Sequence, residues 1–151
     1  PLYPKLAGQH PEYLLKQLLN FKRGERESSD MRKVVRELEE SDMRGLATYF
    51  SRQTPTPSNA AYPERRTVGE KLYREGVPGK GLKACIECHG ERGAGSATLP
   101  RIGGQHALYV ETQLALFEER RRTNDNAQMQ EIAAKLAPEE MRALAEYLSG
   151  L

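Results

Sequence analysis

At 151 residues the chain has room for one domain or two small ones, and a hydrophobic fraction of 38% without any Trp makes its core lean. A formal charge of +2 gives no basis for nucleic-acid binding, and no apolar run is long enough to span a bilayer. Both cysteines, Cys85 and Cys88, fall in one short motif, which excludes a structural disulfide elsewhere.

The chain opens on Pro1-Leu2-Tyr3-Pro4, an unusual native start, and shows no signal peptide, so it is expected to be a processed or truncated product. Pro11 to Lys22 reads as a helix, with Pro11 suited to its first turn. A second helix is expected from Ser41 to Ser51. Residues 53–63, rich in Pro, Ser and Asn, read as an extended linker. Thr67 and Glu70 suggest a capping box for a helix to about Glu75, ended by Gly76 and Pro78. Gly79 to Gly81 and Gly90 to Gly95 read as loops. His106 to Arg120 has the apolar spacing of a helix, with Leu108, Leu114 and Phe117 on it. His106 reads as a surface or capping residue, and Arg120-Arg121-Arg122 as a solvated helix end favoured by the dipole rather than a docking patch. The last helix is expected from Pro138 to Gly150, with Glu139 and Glu140 in its first turn and an apolar face of Met141, Leu144, Ala145 and Leu148. Few segments alternate like strands, so the predicted class is all-α.

The chain also repeats itself. Pro4-Lys5-Leu6-Ala7-Gly8-Gln9-His10 matches Pro100-Arg101-Ile102-Gly103-Gly104-Gln105-His106. Tyr13, Gln17, Leu18, Phe21 and Arg26 then pair with Tyr109, Gln113, Leu114, Phe117 and Arg122. After a two-residue shift, Met31, Leu38, Met43, Leu46 and Tyr49 pair with Met129, Leu136, Met141, Leu144 and Tyr147. The copies are unequal: Glu64 to Leu99, ahead of the second, has no counterpart ahead of the first.

That extra stretch holds Cys85-Ile86-Glu87-Cys88-His89, a C-x-x-C-H run. The run is the attachment signature of a c-type haem: each thiol adds across one vinyl group, and the adjacent His binds the iron. A redox dithiol would want a βαβ context and a zinc site a second Cys pair, and neither is present. Covalent attachment of this kind implies an extracytoplasmic location. A second axial ligand should come from far along the chain. Met129, after the polar run Arg122 to Asn126, suits a loop ligand, with Met141 as the rival.

With C-x-x-C-H-G, then Leu99-Pro100-Arg101-Ile102-Gly103-Gly104-Gln105, Tyr109, Gln113, Phe117 and Met129, the chain resembles the class I c-type cytochromes. Its duplicated L-A-G-Q-H and I-G-G-Q-H motifs resemble the diheme cytochrome c4 family, with the N-terminal haem-binding part of the first domain lacking. The resemblance implies one complete haem domain over 64–151, an incomplete repeat of it over 1–52, and a linker over 53–63. It implies thioethers at Cys85 and Cys88, His89 as proximal ligand and Met129 as distal ligand. Pro100 falls at the position whose carbonyl orients the proximal His. Met31 would be a distal ligand only if a first haem were present. About fifty residues without a haem do not readily form a core alone, so the first half is expected to lean on the second, pair with another chain or be partly mobile.

The implied function is periplasmic electron transfer, one electron per haem c, and not catalysis. The implied partners are redox proteins such as a membrane cytochrome complex or a terminal oxidase. The alternatives are a haem subunit of a larger redox enzyme and a ligand-binding haem sensor.

Overall fold

A computed structural model describes residues 3–56, 58 and 61–151. Pro57, Asn59 and Ala60 of the expected linker, and Pro1 and Leu2, lie outside the described residues. Eight α-helices and two short 3-10 turns are formed among the described residues, with no strand and only an isolated bridge between Val77 and Leu82.

The first half holds three helices. α1 (Pro11–Arg23) begins on Pro11, carries Glu12 in its first turn and Lys22 and Arg23 in its last, and so opposes its dipole at both ends. Gly24, at φ 76°, closes it by turning its N–H back to the Asn20 and Phe21 carbonyls. α2 (Ser29–Val35) starts where the Ser28 hydroxyl accepts the Met31 N–H at 3.3 Å. α3 (Glu40–Ser51) packs on α1.

The second half holds α4 (Arg66–Glu75), α5 (Ile86–His89), α6 (Ala107–Glu118), α7 (Gln128–Ala133) and α8 (Pro138–Ser149). α4 lies chiefly on α8, and α6 joins α8 and α7. The core is built here from Leu72, Tyr73, Leu114, Met141, Leu144 and Tyr147 with their neighbours. Gly69 makes the α4–α8 crossing possible: a Cβ there would lie 2.0 Å from the Ala143 carbonyl oxygen.

Several expected boundaries shift for identifiable reasons. Thr67 does not cap α4, because a 3-10 turn at Pro63–Arg65 leads straight into Arg66 and leaves Thr67 inside the helix. Glu70 pairs instead with Arg74, one turn on, at 3.0 Å. α6 stops at Glu118, and Arg120 turns left-handed at φ 55°. The connector between the halves is tethered rather than free. Lys5 Nζ donates to the Thr56 carbonyl at 2.5 Å, and the Ser58 N–H donates to the Ser149 carbonyl at 3.1 Å.

Within the arginine run Arg120 and Arg121 are exposed as expected, and Arg122 departs furthest from expectation. Arg122 is 7% exposed, not a solvated helix end. Its guanidinium donates to Tyr13 Oη (2.8 Å), to Gln113 Oε1 (2.7 Å) and, at 3.4 Å, to Gln17 Oε1. Arg26, its partner in the repeat, donates to Tyr109 Oη (3.0 Å), Gln113 Oε1 (2.8 Å) and Gln17 Oε1 (2.6 Å). The two halves thus meet through a quasi-symmetric exchange in which each arginine reaches the other copy's tyrosine. Each guanidinium also stacks on its own half's phenylalanine, Arg122 on Phe117 at 4.5 Å and Arg26 on Phe21 at 4.7 Å. Burial, and the like charge of Arg122 nearby, lower the Arg26 pKa.

Candidate haem site

α5 is one turn long and holds Ile86, Glu87, Cys88 and His89, with Cys85 as its N-cap. The His89 N–H donates to the Cys85 carbonyl at 2.9 Å, so the thiols and the imidazole are fixed on one short scaffold. Cys85 is partly buried against the core, whereas Cys88 is exposed. Burial pushes the Cys85 thiol up to about 11.

Behind this turn stands Tyr73, fully buried, whose hydroxyl donates to the Gly90 carbonyl at 2.5 Å. Burial raises its phenol to about 12. Nothing in the sequence pattern sets Tyr73 apart from an ordinary core aromatic.

His89 is 7% exposed. Its Nδ1 lies 3.1 Å from the Pro100 carbonyl oxygen. That bond assigns the proton to Nδ1 and leaves Nε2 as the ring nitrogen with a free lone pair. Burial lowers the His89 pKa, opposed by the Pro100 bond, so the ring is held neutral, the form that binds a metal.

Met129 is not on a loop but in the first turn of α7. The approach to it is strained: Asn126 and Ala127 are both left-handed, at φ 54° and 65°, and alanine there costs about 1 kcal/mol. Asp125 holds this turn by accepting the Met129 N–H (2.6 Å), the Gln130 N–H (3.1 Å) and the Gln130 side-chain amide (2.7 Å). An aspartate just ahead of a helical segment is a legible capping signal that the sequence reading passed over. Met141 is buried in the core at 5% exposure, packed away from any open face. Met31 is half-buried in the first turn of α2, the same place in the repeat as Met129 in α7. His106 stands at the N-cap of α6, and its Nδ1 lies 3.1 Å from Ser58 Oγ.

These residues fit a haem c. Two thiols and a neutral imidazole share one turn, and Cys85, Val77, Ile86, Ile102 and Met129 are all only partly buried against the same core cluster. Apolar surface of this kind, left partly open beside the thiols, is what an apolar macrocycle would bury. No helix among the described residues is long and apolar enough to cross a membrane.

A family model described as cytochrome c matches residues 67–151. Over the whole chain the sequence is 43% identical to cytochrome c4 of Thiocapsa roseopersicina, spanning 100% of this chain and 80% of that one. It is 42% identical to cytochrome c4 of Pseudomonas aeruginosa, spanning 100% of this chain and 77% of that one. The crystal structure of reduced recombinant cytochrome c4 from Pseudomonas stutzeri superposes with a TM-score of 0.96 at 40% identity, over 100% of this chain and 86% of that one.

Proposed function

Since the chain belongs to the cytochrome c family, in its cytochrome c4 branch, we propose that Cys85 and Cys88 hold one haem c through thioether bonds, with His89 and Met129 as its axial ligands. The protein is a periplasmic electron-transfer cytochrome and not itself an enzyme. The observation that carries the ligand assignment is the buried His89, neutral and with Nδ1 committed to the Pro100 carbonyl, one residue after the second cysteine.

When bound, the haem supplies a one-electron couple whose potential is set by its axial ligands and its burial. The chain's own residues hold that couple steady. The bond to Pro100 keeps the His89 proton on Nδ1 and fixes the orientation of the ring, so that Nε2 would be presented to the iron. Val77, Ile86 and Ile102 pack against the same core as Cys85 and would help to exclude water from the haem. The thioether of Met129 is a neutral, soft donor that favours the reduced state.

Residues 64–151 are the complete haem domain, 1–52 an incomplete repeat and 53–63 their connector. Met31 would serve a second haem only where another C-x-x-C-H accompanies the first half. The partners proposed are redox proteins, such as a membrane cytochrome complex or a terminal oxidase. Intact mass tests the assignment first: one haem is expected per chain, and none in the doubly substituted Cys85→Ala, Cys88→Ala protein. A haem-bearing chain whose His89→Ala variant keeps a six-coordinate spectrum would overturn the ligand set.

A further inference from the structure

Gln9 belongs to the first half, yet both ends of its amide are committed to one residue of the second. Its Oε1 accepts the Arg101 N–H at 2.8 Å, and its Nε2 donates to the Arg101 carbonyl at 2.9 Å. The polarity of the backbone fixes which end of the amide is which. Gln9 is 7% exposed, so water does not compete strongly for these bonds.

The Arg101 N–H and the Pro100 carbonyl are two ends of the same peptide group. One end is held by Gln9 and the other accepts from His89 Nδ1 at 3.1 Å. An unbroken chain therefore runs from Gln9 Oε1, through the Pro100–Arg101 peptide, to the His89 ring. A peptide whose N–H is engaged is polarised and its carbonyl accepts more strongly. A stronger acceptor at Nδ1 makes the imidazole a better donor through Nε2.

We propose that Gln9 is a positioning residue for the haem's proximal ligand, through which the first half tunes the potential of the haem in the second. The proposal rests on His89 being that ligand. The repeat supplies an internal control. Gln105 makes the same two bonds in the opposite direction, accepting the Lys5 N–H at 2.9 Å and donating to the Lys5 carbonyl at 3.0 Å. It ties the same interface together without touching the Pro100–Arg101 peptide.

The test uses the haem-loaded chain and compares Gln9→Met, Gln9→Glu and Gln105→Met. Two quantities are read: the midpoint potential and, by NMR of the reduced protein, the exchange rate of the His89 Nδ1 proton. Gln9→Met is expected to raise the potential and to speed exchange about tenfold, equivalent to losing the net contribution of one hydrogen bond. Gln105→Met should leave both near the unsubstituted values. Gln9→Glu keeps the acceptor and loses the donor, so its potential should stay at or below the unsubstituted one. Equal rises in the two Met variants would assign the effect to a loosened interface and overturn the proposal, as would an unchanged potential in Gln9→Met. If the unsubstituted protein shows no ring proton from an iron-bound His89, the ligand reading itself fails before any variant is compared.

Discussion

Tyr49 and Tyr147 hold the same place in the repeat, yet Tyr49 is 59% exposed and Tyr147 is 4% exposed. The helices that carry them begin and end alike, α3 on Glu40–Ser51 and α8 on Pro138–Ser149. The difference is what lies against them. α8 is covered by α4, whose Tyr73 meets Tyr147 at 5.5 Å between ring centroids, and α3 has no such helix among the described residues. Within the described residues the repeated stretch forms the same helix twice but is covered by a further helix in one copy. Burial belongs to the neighbour as much as to the residue.

Paired substitutions sharpen that contrast. Tyr147→Ala should cost about 3–5 kcal/mol by opening a cavity at the α4–α8 contact, while Tyr49→Ala should cost under about 1 kcal/mol, most of it from the Phe50 edge contact. Denaturant unfolding of the haem-loaded chain reads both, and similar losses would break the comparison. Gly69→Ala should destabilise by about 3 kcal/mol, since its Cβ meets the Ala143 carbonyl and the helices must part. Gly45→Ala in α3 meets nothing within 4 Å and should stabilise by roughly 0.5–1 kcal/mol through helix propensity alone. Opposite signs in thermal unfolding are the expected result.

The methionines offer a functional version of the same test. Met129→Ala should keep the covalent haem, admit carbon monoxide without displacing a thioether and lower the potential. Met31→Ala should leave the spectrum and the potential of this haem unchanged. A Met129→Ala protein that still excludes carbon monoxide would count against the ligand assignment.

A further contrast is expected with pH. Burial holds the Tyr73 phenol at about 12, above the unfolded value of about 10. The neutral phenol therefore stabilises the fold fully below about pH 10, and this contribution fades as pH rises through 12. Tyr73→Phe should lose about 1 kcal/mol near neutrality, from the bond to Gly90, and show a flatter alkaline limb between those values.

The local features were legible early because they depend on neighbours in the chain. Pro11 and Pro138 at helix starts, Gly76 at a helix end and the C-x-x-C-H turn are all short-range chemistry. Met129 is expected on a loop but stands in the first turn of α7, because the left-handed pair Asn126 and Ala127 compresses the turn before it. Arg122 is buried although it sits in a charge run, because such a run gives no sign of what stacks over it. Its own half supplies Phe117, but Tyr13 lies 109 positions away.

By itself the sequence determined the helical class, the duplication, the C-x-x-C-H spacing on which the proposed haem site rests, and the short-range stops and starts that frame it. Tertiary structure alone decided that Tyr147 is buried while Tyr49 is exposed, how Arg26 and Arg122 exchange partners, and that Gln9 reaches the peptide behind His89. Backbone propensity and covalent spacing act over a few residues and are written in order along the chain. Burial and hydrogen-bond pairing across the two halves depend on which distant surfaces meet, and identical residues acquire different roles when those surfaces differ.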